Sequence, residues 1–413
     1  MRFFISILSI IIYCLYFSSC DKSHMNPDLK PYVWHAPQIE SNALSTFIST
    51  PPIDPKVEEL ADLGFQRYTN NTNNLRTNRE EARPANGGGR KEHTWIKDTF
   101  GEEENNIIAN LKNLSAPPTF SIKEINKLYN ELVAQIPRGE NLKKAKFIFV
   151  TGVGINYLHE AALAKEAFVQ LASQFNYLES PGTEKTTVQS YLGDKTQGPM
   201  GSIEAAAAAL HRTAAEDAGK LKNALINVLP ANNNNYYANG YLELFKLSEN
   251  QKASLLNHVK SHIEELAILP HWVKNEASGV KQFQVFSAAP SYQGHGAPAA
   301  LSAEGELTSL LVAAQFEALA KLAVIRNLLT NKPVTLHLAR VGQGAFNNPP
   351  EAINDALKRV AEAVKGYPDV HVFVHGYSAG STQANIKATD TNLVDISHMN
   401  NEEFFKAPFP ALN

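Results

Sequence analysis

Residues Val334 to Val364 read VTLHLARVGQGAFNNPPEAINDALKRVAEAV, and this run constrains the fold more than any other. A short β-branched and apolar stretch, Val334 to Ala339, predicts a buried strand. Gly342-Gln343-Gly344-Ala345-Phe346 interrupts it, and Ile353 to Val364 then carries apolar residues at helical spacing. Asn348 is expected as N-cap, Pro349 as the first helical residue and Glu351 as the third. Another strand follows, Val370 to Val374. Strand, glycine loop, helix and strand in succession predict an α/β sheet covered by helices. In such sheets ligands sit beyond the carboxyl ends of the strands, where the Gly342 loop lies. A glycine loop running into a helix start offers backbone amides to an anion.

The same alternation extends upstream. Ser121 to Gln135 has helical spacing, Lys146 to Thr151 reads as a buried strand, and Leu158 to Phe175 reads as a long apolar helix. Alanine-rich Glu204 to Leu229 is expected to be helical. Leu255 to Leu269 is expected to form a helix stopped by Pro270. Gln282 to Ser287 reads as a strand, and Glu306 to Leu329 as a long helix.

A second glycine run lies far upstream. Asn86 precedes Gly87-Gly88-Gly89, and about a dozen residues later come Glu102-Glu103-Glu104. A carboxylate beside a phosphate-cradling loop suits acid–base work on a phosphate-bearing sugar. Acidic residues at the positive end of a solvated helix, Asn105 to Leu111, would give the same pattern without chemistry.

The order Asn86, Gly87 to Gly89, the glutamates, Phe286-Ser287-Ala288-Ala289-Pro290 and Gly342-Gln343-Gly344-Ala345-Phe346-Asn347-Asn348-Pro349-Pro350 resembles the microbial poly(ADP-ribose) glycohydrolase group. The match covers residues 60–110 and 280–377; the middle, about 110–280, reads as an elaboration. Two departures stand out. The triplet-to-glutamate spacing is a few residues longer than in that group, and Gly101 or Glu102 stands where its glutamine would be.

The resemblance implies a three-layer macrodomain-like α/β fold, a mixed sheet with helices on both faces, over residues 57–395. It implies binding of ADP-ribose or a related nucleotide diphosphate, free or on an ADP-ribosylated protein, without a cofactor or metal. Gly87 to Gly89 and the Gly342 to Asn347 loop would hold phosphates, Asn86 the distal ribose, and Phe346 the sugar or diphosphate. Glu103, or Glu104 by a one-residue slip, would protonate the leaving ribosyl oxygen.

Other classes compete. His375-Gly376-Tyr377-Ser378-Ala379-Gly380 follows a strand and matches the G-x-S-x-G elbow of serine hydrolases. The polar sequence after Gly380 lacks the apolar helix such an elbow needs, and Asp390, Asp395 and His398 would be crowded into a short tail. In the glycohydrolase-like reading this strand instead closes the sheet near the Gly342 loop. A non-catalytic binding protein that keeps the glycine loops is the other alternative. The scattered histidines, including His258 and His262 on one helix face, read as surface or core residues.

Residues 1–20, MRFFISILSIIIYCLYFSSC, read as an export signal: one arginine, an apolar run, then small residues before Cys20. The pattern resembles a bacterial lipoprotein signal, which implies lipid on Cys20, loss of Cys14 and a place on the cell envelope. An ordinary signal or an uncleaved anchor remains open. Residues 21–56 read as a proline-rich tether and 396–413 as a tail. The net charge of −3 supplies no basic field for nucleic acid.

Overall fold

A seven-stranded sheet organises the chain, and most of its strands are too apolar to face water on either side. The computed structural model describes residues 42–49, 109, 112–136, 146–151, 166–178, 206–233, 235–274, 281–344, 346–376 and 392–395. All of them belong to the compact unit Pro37–Asn413.

In chain order the elements are α1 (Ala43–Ser49), β1 (Phe120–Ser121), α2 (Ile122–Val133), β2 (Lys146–Thr151), β3 (Phe168–Ser173) and α3 (Ala206–Asp217). Then come β4 (Tyr237–Ala238), β5 (Tyr241–Leu242), α4 (Glu249–His262), β6 (Ala267–Ile268), β7 (Pro270–Lys274) and β8 (Lys281–Ala288). The chain continues through α5 (Ala303–Thr330), β9 (Val334–Leu338), α6 (Pro350–Val364), β10 (Val370–Gly376) and β11 (Asn392–Asp395). The main sheet has the order β11-β2-β10-β9-β3-β8-β7. Every pair is parallel except β7 with β8, so the sheet is mixed. Strands β2, β3 and β7 come from the middle region, which is therefore woven into the same sheet.

Alternation along β8 shows what covers each face. Phe283 stacks on Phe168 at 4.6 Å and meets Phe47 of α1 and Arg326 of α5. Phe286, three residues on, faces the other way, and the Arg212 guanidinium of α3 lies 4.0 Å over its ring. Helices thus lie on both faces, as the fold class anticipates.

Helix α5 is the centre of the first face. It packs on α6, α2, α4 and α1 as well as on the sheet. Leu319, Leu322, Ala323, Val324 and Ile325 are all fully buried. Its length and composition would suffice to cross a membrane, and its enclosure on nearly all sides accounts for them. Ser302 caps its start by accepting from Gly305 N at 3.1 Å, and Asn331 ends it in the left-handed region at φ 53°.

Several expected boundaries are corrected. Within Leu158 to Phe175, the described residues form the strand β3 instead of a helix. A strand buried on both faces shows a continuous apolar run, which periodicity cannot separate from a helix. The alanine-rich helix ends at Asp217, before Gly219 at φ +67°, and does not reach Leu229. The helix expected to end at Pro270 begins earlier, under a Ser248–Gln251 capping box, and ends at His262. Pro270 instead opens β7, an edge strand, where its missing N–H costs least. Residues 43–49, expected in the tether, form α1 with Leu44, Phe47 and Ile48 buried; Arg326 Nη1 donates to Ile48 O at 2.5 Å. Strand β10 does not close the sheet; it lies between β2 and β9.

The second face carries an unusual polar contact. Arg212, 1% exposed, meets His271 Nδ1 at 3.0 Å, so that ring nitrogen must be an acceptor and the imidazole neutral. Burial, then Arg212 and His211, hold His271 well below the usual histidine value. The unfolded chain protonates this ring near pH 6.5. Its contribution is therefore present above that value and lost as pH falls toward the depressed folded value, by at most about 1.4 kcal/mol per unit. We expect urea midpoints to fall from pH 7.5 to 5, and the fall to be smaller in His271→Gln; an equal fall in both proteins would contradict this account.

Candidate functional site

Strands β3 and β9 part before their carboxyl ends while β3 stays paired with β8 through Ser173↔Ala288, and four neutral carboxamides serve the ends of these strands and the loops beyond them. Strand β3 pairs with β9 only at Phe168↔Leu336 and Val169↔His337. Beyond that point the Gln170 side chain takes over. Its Oε1 accepts from Ala339 N at 3.0 Å, and its Nε2 donates to Ser287 Oγ of β8 at 3.0 Å. Gln315, from α5, closes the end of β8 as a peptide group would: Oε1 accepts from Ala288 N at 2.8 Å and Nε2 donates to Ala288 O at 2.7 Å. Asn176 Nδ2 donates to Asn239 Oδ1 at 3.1 Å, steadying the turn before β5. Buried backbone groups at splayed strand ends need such partners.

Asn348 is the fourth carboxamide, and it joins two loops. Its Nδ2 donates to Pro290 O at 2.8 Å, Gly342 O at 3.0 Å and Phe346 O at 3.3 Å. Its backbone N donates to Gly342 O at 2.9 Å. The loop after β8 and the loop after β9 are further tied by Tyr292 N to Phe346 O at 3.0 Å and by Asn347 Nδ2 to His295 O at 2.8 Å. This corrects the expected cap. Pro350 has no N–H, so a cap at Asn348 would lose one of the two amides a cap serves. The helix instead starts at Pro350 with Pro349 before it and has no side-chain cap. Asn348 is thereby free to hold the loop.

The two glycines of this loop differ. Gly342 has φ +84°, and a Cβ there would lie 2.5 Å from Ala289 Cβ and 2.7 Å from Asn348 Nδ2. The fold itself requires glycine at that position. Gly344 is exposed; it is not in the left-handed region, and a Cβ there would meet no described residue within 4 Å.

Aromatic rings border the loop. Phe346 is half-buried, 5.6 Å from Tyr241, and exposed His295 stacks on Phe245 at 3.7 Å. Tyr292 is buried, and its hydroxyl shares a 2.7 Å hydrogen bond with Thr308. Burial raises its pKa, so it stays a neutral phenol. On the neighbouring strands, His337 Nδ1 and His375 Nε2 are 3.1 Å apart, both buried.

Of the residues expected in a site, Gly342, Gln343, Gly344, Phe346 and Asn347 come together in this one loop. Ala345, Asn86, Gly87 to Gly89, Glu102 to Glu104, Cys20, Ser378, Asp390 and His398 lie outside the described residues. Asp395 falls in β11 at the sheet edge. Sequence reasoning missed Gln170, Gln315 and Tyr292, whose partners are distant in the chain. Asn348 had a local signal, the pair of prolines after it. Among the described residues, no group of three or more His, Cys, Asp or Glu side chains is placed to hold a metal ion. His258 and His262 stack on each other at 4.2 Å.

No protein-family model matches the chain, and no curated protein sequence matches it. Among solved structures, the chain is similar to the poly(ADP-ribose) glycohydrolase of Deinococcus radiodurans in complex with ADP-ribose, at 13% identity and a TM-score of 0.35, over 68% of this chain and 96% of that one. It is also similar to the poly(ADP-ribose) glycohydrolase of Thermomonospora curvata, at 12% identity and a TM-score of 0.35, over 69% of this chain and 88% of that one.

The glycine contrast gives a direct test. Gly342→Ala should cost about 3 kcal/mol, from left-handed backbone and from overlap with Ala289. Gly344→Ala should stay within about 0.5 kcal/mol of the parent. Paired denaturation curves measure both, and equal losses would mean that the two glycines do the same structural job.

Proposed function

We propose that the chain binds ADP-ribose or a related nucleotide diphosphate where β3 and β9 part, with the Gly342 to Asn347 loop against the diphosphate. The observation that carries this is Gly344. Its backbone conformation, its exposure and the lack of any described residue within 4 Å give the described fold no reason to keep glycine there. Close approach of a ligand to the backbone is a reason. The parting of β3 and β9 lies where parallel sheets receive their ligands, and hydrogen bonds tie the loop in place before any ligand arrives. The motif order along the chain, which resembles that of the glycohydrolase group, supports the same ligand.

On this reading Gly87 to Gly89 supply the second phosphate loop and Asn86 meets the distal ribose. Glu103, or Glu104, gives its proton to the ribosyl oxygen as the glycosidic bond opens, and water completes the hydrolysis of an ADP-ribosylated protein or of the free conjugate. The reaction passes through an oxocarbenium-like sugar and needs the acid within hydrogen-bond reach of the leaving oxygen. We place the protein on the cell envelope, held by lipid on Cys20.

Calorimetry with ADP-ribose should give saturable binding, weakened about ten-fold or more in Gly344→Ala at unchanged stability. Absence of binding at millimolar ligand would end this reading. The double substitution Glu103→Gln, Glu104→Gln should abolish release of ADP-ribose from a modified protein while binding persists; release that continues would remove these acids from the mechanism. Incorporation of labelled palmitate should disappear in Cys20→Ala, and persistence of the label would refute the anchor.

A further inference from the structure

We propose that Arg340 is the anion-binding side chain of the glycine loop, its guanidinium engaging phosphate oxygens of the ligand; this rests on the nucleotide-diphosphate reading of that loop. Arg340 stands two residues after β9 and two before Gly342. Its Nε donates to Gln343 Oε1 within the loop. That bond to a neutral carboxamide is its only side-chain hydrogen bond among the described residues, and no described carboxylate pairs with it.

The other described arginines are engaged differently. Arg326 pairs with Glu166 at 2.7 Å and Arg359 with Glu317 at 3.3 Å. Arg212 lies on Phe286 and bonds to His271. Acids are not scarce in a chain of net charge −3. A half-buried guanidinium left beside a carboxamide is thus a feature of this loop and not of the composition.

The energetics point the same way. A partly desolvated cation without a counter-charge is unfavourable, and the arrival of an anion relieves it. Burial alone lowers the Arg340 pKa, with no acidic neighbour acting against it. Gln343 holds the Nε edge, which fixes the plane of the group. The terminal nitrogens form the remaining fork, the geometry that suits two oxygens of one phosphate. Gly344 leaves the adjacent backbone uncovered, so the same anion can meet both.

The test is calorimetry on the full chain with ADP-ribose, inorganic pyrophosphate and adenosine. Arg340→Gln should weaken ADP-ribose and pyrophosphate by about ten-fold or more, and Arg340→Lys by less. Adenosine binding and the melting temperature should not move, since the side chain's one hydrogen bond among the described residues is to a partly exposed loop carboxamide. Unchanged ADP-ribose and pyrophosphate affinity in Arg340→Gln overturns the inference and leaves the nucleotide reading intact. An equal loss for adenosine also overturns it, because the effect would then not be charge recognition. If the parent binds pyrophosphate through Arg340 but not ADP-ribose, the inference holds and the nucleotide reading falls. If it binds neither, both fall.

Discussion

The Asn348 carboxamide is the contact on which the candidate site depends. Three carbonyls from two loops converge on its Nδ2, and Gly342 can approach it only because it lacks a Cβ. Without this group, Pro290 O would lose its donor, while Gly342 O and Phe346 O would keep only the backbone N–H groups of Asn348 and Tyr292. Such unsatisfied groups cost about 1–3 kcal/mol each. The tie also explains why the loop after β8 and the loop after β9 act as one surface, though all of α5 and β9 run between them.

The framework beneath that tie comes from α5 and the sheet. The helix buries leucines, valines and alanines around most of its circumference, and its Gln315 reaches out to finish β8. Strands β3 and β9 share only two register positions before parting. Gln170 bridges the gap at the level where backbone pairing stops.

Much of this was legible before any coordinates. The C-terminal succession from Gln282 to Val374 has clear punctuation: Gly342 as a break, and apolar spacing of i, i+3 and i+4 in α6. The middle was harder. Ala167 to Leu171 lie buried with Gln170 the one polar residue among them, and local pattern carries no mark of which element such a stretch becomes. Pro270 was read as a stop, and it did mark a boundary, but one that starts an edge strand. The segment Ala43–Ser49 looked like linker because prolines surround it; its burial depends on Phe283 and Arg326, more than two hundred residues away. In the site, Gly342 and Gly344 announced the loop, yet nothing in their identity distinguished a glycine needed for packing from one that faces open space. The clamps by Gln170 and Gln315 are long-range and have no sequence signature.

The carboxamides at the strand ends have a consequence for acidity. Gln170, Gln315, Asn348 and Asn176 carry no proton that can leave, and none that must be gained, across the whole range in which a protein survives. A cleft floor built from carboxylates or imidazoles would shift its shape as the surrounding medium soured. These four ties do not, so acid effects on the molecule will come from other groups, the buried His271 and the His337–His375 pair among them.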